Sequence, residues 1–335
     1  MALTQSQKTL VEKARSAGGG ELGAGLSDEG CAFLVATIIR DLGLLKKLPE
    51  VKHGFPEFFD EADPRKLELP NLDFYALIER LFKLVPDADT YFSCLATLQK
   101  SRLKYSRILE YQAVPTMDQV GPRALLQYGQ MSPQALAGFL LWRKWLFDID
   151  NRAGQETGYL FEPIIANAIG GASFSAKASP IKRHDDDSKG RQVDCIRGKL
   201  AYEIKIRVTI AASGQGRWQE ELDFPIDCKQ SGYKPVLLVL DPTPNTKLTE
   251  LVGAFNAAGG ETFIGDAAWQ HLEKAAGEVM TVFLEKYVKA PMKQALDATP
   301  EELPPITFDM TEDAFRITVG EEKTQYKRSS DSKIT

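Results

Sequence analysis

The order of apolar and polar positions divides the chain into a helical first half and an alternating second half. Residues Ala2 to about Ala17 have helical character, and Gly18-Gly19-Gly20 followed by Gly23 and Gly25 marks a hinge or flexible arm. Ser27 fits an N-cap, because a hydroxyl there accepts from an otherwise unpaired amide of the first turn. Asp28 and Glu29 then suit the positive end of the helix dipole, and Cys31 to Leu45 carries an apolar stripe. The polar, proline-bearing run from His53 to Pro70 has the composition of a surface loop. Phe74, Leu77, Leu81 and Leu84 recur at helical spacing, Pro86 interrupts, and Asp87 or Asp89 restarts a helix through Tyr91, Leu95, Leu98 and Leu103. Ser132 before Pro133 opens a strongly apolar helix from Leu136 to Phe147. Residues 1–150 are therefore expected to form an all-helical N-terminal domain. Its stripes make its core, or a dimer interface where they are too wide to bury in one chain.

The composition changes at Asn151-Arg152-Ala153-Gly154, and residues 151–335 read as a second, α/β domain. A helix from Gln155 to Ile169 ends at Gly170-Gly171, and the period then becomes two, with strands near Gln192 to Ile196 and Ala201 to Ile210. Pro235 to Leu240 is almost continuously apolar, the pattern of a strand covered on both faces. A helix from Leu248 to Ala258, a strand at Thr262 to Ile264 and a long helix from Ala267 toward Tyr287 continue the alternation. Ile306 to Met310 and Phe315 to Val319 suggest a terminal hairpin, with Lys327 to Thr335 a polar, frayed end.

A length of 335 residues is ample for such a core. The formal charge of −5 and pI near 5.5 argue against a generally basic nucleic-acid coat protein. A binding field depends, however, on where charges lie. Between Lys177 and Arg207 nine Lys and Arg residues outweigh five Asp and Glu, the opposite of the global balance. The four cysteines form no CxxC pair, the N-terminus lacks the apolar core of a signal peptide, and no apolar run reaches membrane-spanning length. A cytoplasmic protein with reduced thiols and no membrane partner is expected. The three histidines are scattered, and Asp185-Asp186-Asp187 beside His184 reads as a solvated loop rather than a zinc or other metal cluster.

The stretch from Arg191 to Thr209 carries the chemistry. At strand period it places Tyr202, Ile204, Ile206, Val208 and Ile210 on one face and Glu203, Lys205, Arg207 and Thr209 on the other. Asp194, across the Arg197-Gly198-Lys199 turn, can be brought beside Glu203 and Lys205. A lone Glu-x-Lys on a strand is usually a solvated ion pair. Two converging carboxylates raise each other's pKa unless a cation neutralises them, and hard oxygen ligands favour magnesium. A lysine beside them can orient or deprotonate water, or stabilise charge on a phosphate, which is the equipment for metal-assisted phosphodiester hydrolysis.

Asp194 followed by Glu203-Ile204-Lys205 resembles the PD-(D/E)xK nuclease superfamily, and most closely its type II restriction endonucleases. Val193 stands where many members have proline. Members often carry a glutamate on the preceding helix; here Gly158-Tyr159-Leu160-Phe161-Glu162 offers Glu162, with Glu156 second. The resemblance runs from Gly154 to near Gly265. It implies a restriction-endonuclease-like α/β core, a central mixed sheet flanked by helices. It also implies Mg2+-dependent, sequence-specific double-strand cleavage of DNA to 5′-phosphate and 3′-hydroxyl ends. Asp194 and Glu203 would hold the metal, Lys205 would position or activate water, and Glu162 would support the metal shell. A homodimer is expected for a palindromic site, and a cognate DNA methyltransferase would protect host DNA. A structure-specific repair or recombination nuclease of the same fold is the alternative. A non-catalytic DNA-binding module is another, against which the intact Asp194, Glu203 and Lys205 count.

DNA contacts are open to two readings each. Arg207 and Thr209 continue the polar face toward a phosphate, or Arg207 pairs with a carboxylate. Ser213 to Trp218 reaches a DNA groove with Gln215 and Arg217 as base readers, or is an ordinary glycine-bearing turn.

Overall fold

Local capping starts the helices where the side chains dictate. A computed structural model describes residues 3–17, 22–52, 54–207, 215–297, 303–311 and 314–327. Helix α1 (Gln5–Arg15) opens on a reciprocal box in which Thr4 Oγ1 accepts from the Gln7 amide and Gln7 Oε1 from the Thr4 amide. Helix α2 (Asp28–Asp41) begins at Ser27, whose hydroxyl accepts from the Gly30 amide at 2.9 Å, and buries ten of its 14 residues, so it is a core helix. The run from 54 to 70 is less superficial than its composition suggests. Phe58 and Leu67 are buried, and Asp63 caps a 3₁₀ turn at Pro64–Lys66, so two apolar anchors pin a polar segment to the core. Helices α3 (Phe74–Leu84) and α4 (Ala88–Glu110) flank Pro86, with Asp87 at φ +63° closing the turn between them.

A short helix α5 (Met117–Val120) precedes α6 (Pro133–Ala168), a single 36-residue helix capped by Ser132. Helix α6 passes unbroken through the junction at 150/151. No proline lies between Pro133 and Pro163, isolated glycines there cost only about 1 kcal/mol each, and the helix runs on through Pro163 for its last turn.

The sheet has the order β1 (Ala172–Phe174), β2 (Val193–Arg197), β3 (Leu200–Lys205), β4 (Lys234–Val239), β5 (Glu261–Ile264). Pairs β1/β2 and β2/β3 are antiparallel, whereas β3/β4 and β4/β5 are parallel. Gly198, at φ +60°, makes the tight β2–β3 turn that a residue with a Cβ would enter only with strain. Alternation along the strands sends side chains to two cores. Tyr202, Ile204, Val236 and Leu238 join the helical half, so the N-terminal helices, the end of α6 and one sheet face share one apolar cluster. Ala201, Leu237 and Val239 face α7 (Gln215–Gln230) and α8 (Thr246–Ala257) through Phe224, Cys228, Leu251 and Phe255. Buried on both sides, β4 is the apolar strand expected from its pattern.

Helix α7 is not evident from the apolar pattern, because Gln219-Glu220-Glu221 and an internal Pro225 blur its stripe. Helix α9 (Asp266–Leu284) is interrupted at Gly277, continues as a π turn at Glu285–Lys289 and ends in α10 (Ala290–Leu296). The terminal hairpin of β6 (Ile306–Met310) and β7 (Ala314–Val319) gains a third strand, β8 (Glu322–Lys327), whose polar sequence hides its strand character. No described helix is long and apolar enough to cross a membrane, and all four cysteines are free and buried.

Candidate active site

The β2–β3 hairpin assembles the site. Cys195 pairs with Tyr202, so Asp194 and Glu203 are the next neighbours across the two strands. Asp194 is buried, and its Oδ2 accepts from the Ile204 amide at 2.8 Å. Two residues beyond Glu203 on the same face, Lys205 places Nζ 2.8 Å from Glu203 Oε1. Glu162 enters from α6, its Oε1 lying over Gly158, where an added Cβ would sit at 3.3 Å. The structure thus brings Asp194, Glu203, Lys205 and Glu162 together. A fifth member, Glu221 on α7, lies 3.5 Å from Lys205 Nζ through its Oε1. No periodicity pointed to Glu221: only the rotation of α7 decides that it faces the site while Glu220 turns to Arg183 at 2.9 Å.

Four carboxylates and one ammonium leave this pocket with excess negative charge. Burial, and then the neighbouring Glu203 and Glu162, push the Asp194 carboxyl well above its ordinary range. Burial pushes Glu162 up to about 7, Lys205 opposing the rise and Glu203 adding to it. Glu221 is raised by burial as well. Burial alone would lower Lys205, but Glu203, Glu221 and Asp194 outweigh it and hold the ammonium charged. An all-oxygen donor set with strained ionisation fits a hard divalent cation. Among the described residues, no group of three or more His, Cys, Asp or Glu side chains is already arranged as a metal cage. Glu203 engages Lys205 and Asp194 engages the Ile204 amide, so these donors must turn to meet an ion.

A pH dependence follows. Glu162 protonates in the folded chain at about 7, above its ordinary 4.5, so its stabilising contribution is complete below the lower value and is lost as pH rises through the higher one. In chelator, the unfolding temperature is expected to fall between about pH 5 and 8, and Glu162→Gln is expected to flatten that slope. Thermal melts across this range check it; an unchanged slope in the variant would contradict the assignment.

Other candidates take different places. Arg207 is exposed and its Nε lies 3.4 Å from Asp241 Oδ2, the carboxylate pairing of its two readings. Strand β3 ends at Lys205, short of Ile210, and Thr209 and Ser213 lie outside the described residues. Gln215 and Arg217 fall in the first turn of α7 and not in a glycine-bearing loop or turn. Glu156 pairs with Lys104 at 2.7 Å and Arg152 at 3.6 Å. Asp186 is occupied by Ser188 and Lys189. His184 donates its backbone N–H to Asp227 Oδ1 at 2.6 Å and sets Nδ1 2.7 Å from the same oxygen. Asp227, fully buried on α7, also accepts from Arg191 Nε at 2.5 Å, tying the segment just before β2 to α7. Asp227→Ala would strand the buried Arg191 and is expected to cost roughly 3–5 kcal/mol of stability, measurable by denaturant titration.

A mixed sheet whose central hairpin carries an acid, a second acid and a lysine on one face defines a restriction-endonuclease-like protein. The chain matches the ApaLI-like restriction endonuclease family over residues 62–289. It is 46% identical over 281 residues to the type II restriction enzyme ApaLI of Acetobacter pasteurianus, covering 78% of this chain and 74% of that one. The chain belongs to the ApaLI-like restriction endonuclease family, a group of type II restriction endonucleases. No solved structure matches it significantly.

Proposed function

We propose that the chain makes Mg2+-dependent, sequence-specific double-strand cuts in DNA, leaving 5′-phosphate and 3′-hydroxyl ends. The observation that carries this reading is the convergence of Asp194, Glu203 and Lys205 on adjacent strands with Glu162 from α6, a carboxylate excess around one ammonium. Asp194, Glu203 and Glu162 would hold magnesium, which when bound polarises the scissile phosphate and eases deprotonation of water. Lys205, whose ammonium the surrounding carboxylates favour, would donate to the attacking water or to a phosphate oxygen and so position or activate the nucleophile. Water oxygen bonds to phosphorus as the bond to the 3′-oxygen breaks, and a proton from water ends on that oxygen. Glu221 steadies Lys205 from α7.

Thr209, Ser213, Gln215 and Arg217 follow in sequence from the catalytic strand and would touch the DNA, and Arg207 would join them on release from Asp241. Residues 1–150 would contribute to DNA binding or dimerisation, with residues 151–335 as the nuclease part. The working unit is a cytoplasmic homodimer whose host DNA is protected by a cognate methyltransferase.

Incubation with unmethylated and methylated plasmid and phage DNAs, with magnesium or chelator, tests the proposal. Discrete fragments are expected with magnesium alone. Cutting confined to junctions or flaps would favour a repair nuclease, and no magnesium-dependent cutting on any substrate would reject both.

A further inference from the structure

Helices α4 and α6 pack antiparallel: Cys94 Sγ lies 3.8 Å from the Ile164 carbonyl oxygen, and Lys104 Nζ lies 2.7 Å from Glu156. Since α4 stops at Glu110, the first part of α6 runs on past its end, extending about 20 Å at 1.5 Å per residue. Chain segment 117–131 folds back against this extension, with Arg143 Nη1 donating to Gln127 Oε1 at 3.1 Å and its guanidinium resting over Phe139. The cluster buried between segment and helix is small: Val120, Leu136 and Leu140, with Ala124 packed against them.

The same lobe exposes several large apolar side chains. Leu125 and Leu126 are 82% and 93% exposed, and Tyr128, Phe139 and Phe147 are exposed too. Phe139, Arg143 and Phe147 follow one another at four-residue spacing along one stripe of α6. The lobe therefore presents more large apolar side chains to water than its own cluster buries, and a covering surface would bury them.

We propose that this lobe is the homodimer interface, covered by the same lobe of a second copy of the chain. The inference rests on the double-strand nuclease reading above, and three observations select this occupant. The described residues of one chain hold one carboxylate–lysine constellation, whereas cutting both strands at one site takes two. Of the 27 residues from Gly121 to Phe147, 17 are exposed, approaching the about 20–30 that one side of a standard protein interface uses. DNA is a poor alternative, because leucine and phenylalanine side chains supply no donors to phosphates or base edges. Helix α6 also carries Glu162, so the interface and the catalytic glutamate lie on one continuous helix. Two-fold contact between lobes would thereby set the placement of the two sites.

Sedimentation velocity of the full chain, without DNA or metal, compares wild type with Leu126→Glu/Phe147→Glu. Both side chains are exposed, so the variant should keep the wild-type circular dichroism and unfolding temperature. Wild type is expected to sediment as a dimer, and the variant to raise the dimer dissociation constant at least about thirtyfold. On supercoiled plasmid with magnesium, the variant is expected to accumulate nicked circles where wild type yields linear DNA. A wild type that stays monomeric at tens of micromolar would overturn the proposal. So would a variant that dimerises as tightly as wild type, including one whose DNA affinity alone is reduced. Because association is read without catalysis, an inactive wild type that dimerises through this lobe would reject the nuclease reading and leave the interface standing.

Discussion

Replacing Lys205 by alanine is expected to slow single-turnover DNA cleavage by roughly 10²–10³-fold while leaving DNA affinity nearly unchanged. The ammonium is the single positive charge observed against Glu203 and Glu221, and three carboxylates hold it protonated. Under the proposed mechanism it would face the point where negative charge develops on phosphate, so its loss would be felt mainly in the transition state. Lys205→Arg keeps the charge but substitutes a longer, planar fork for a compact donor, so it should fold well and still cleave poorly. Comparison of kcat with KM distinguishes this from a binding role: a Lys205→Ala enzyme with unchanged kcat and raised KM would contradict it.

Asp194→Asn is expected to abolish cleavage and, in chelator, to make the protein more stable than wild type. Asp194 is buried, and its carboxyl is raised by burial and by Glu203 and Glu162, so its ionised form is unfavourable in the folded chain. The stabilising contribution of such a group is present below its unfolded pKa of about 3.9 and is lost as pH rises through the raised folded value. As pH rises above the unfolded value the wild type bears a growing share of that cost. Asparagine is neutral at every pH, and its oxygen can still accept from the Ile204 amide. The unfolding temperature in chelator should therefore rise, by ~1–2 °C per kcal/mol for a chain of 335 residues. Magnesium should reverse the order, since it can stabilise only a folded state that binds it. A variant that melts lower than wild type in chelator would show that Asp194 is held for structure and not for a cation.

Much of this site was legible because strand alternation is a local property. Once Glu203 and Lys205 share a face, a glycine turn four residues before Tyr202 suffices to bring Asp194 alongside. Ser27 and Ser132 likewise announce their helices through short-range capping, and the apolar run at Pro235 announces a doubly covered strand. What stayed hidden depends on tertiary rotation or on compensated polarity. Glu221 and Asp227 lie on α7, whose stripe is blurred by Gln219-Glu220-Glu221 and Pro225, so neither its existence nor its orientation shows in the period. His184 seemed to belong to a solvated loop because Asp227, 43 residues away, supplies its partner. Strand β8 is polar throughout and is held by pairing with β7, which composition does not record. Phe58 and Leu67 are two apolar positions in a polar run, too sparse to set a period although they anchor it.

The most direct test of the central claim is single-turnover cleavage, in magnesium, of a DNA that wild type cuts, by wild type, Asp194→Asn and Lys205→Ala at matched DNA occupancy. The account predicts discrete fragments from wild type, none from Asp194→Asn and a rate lowered by roughly 10²–10³-fold for Lys205→Ala. Cleavage by either variant at the wild-type rate would place the chemistry elsewhere in the chain.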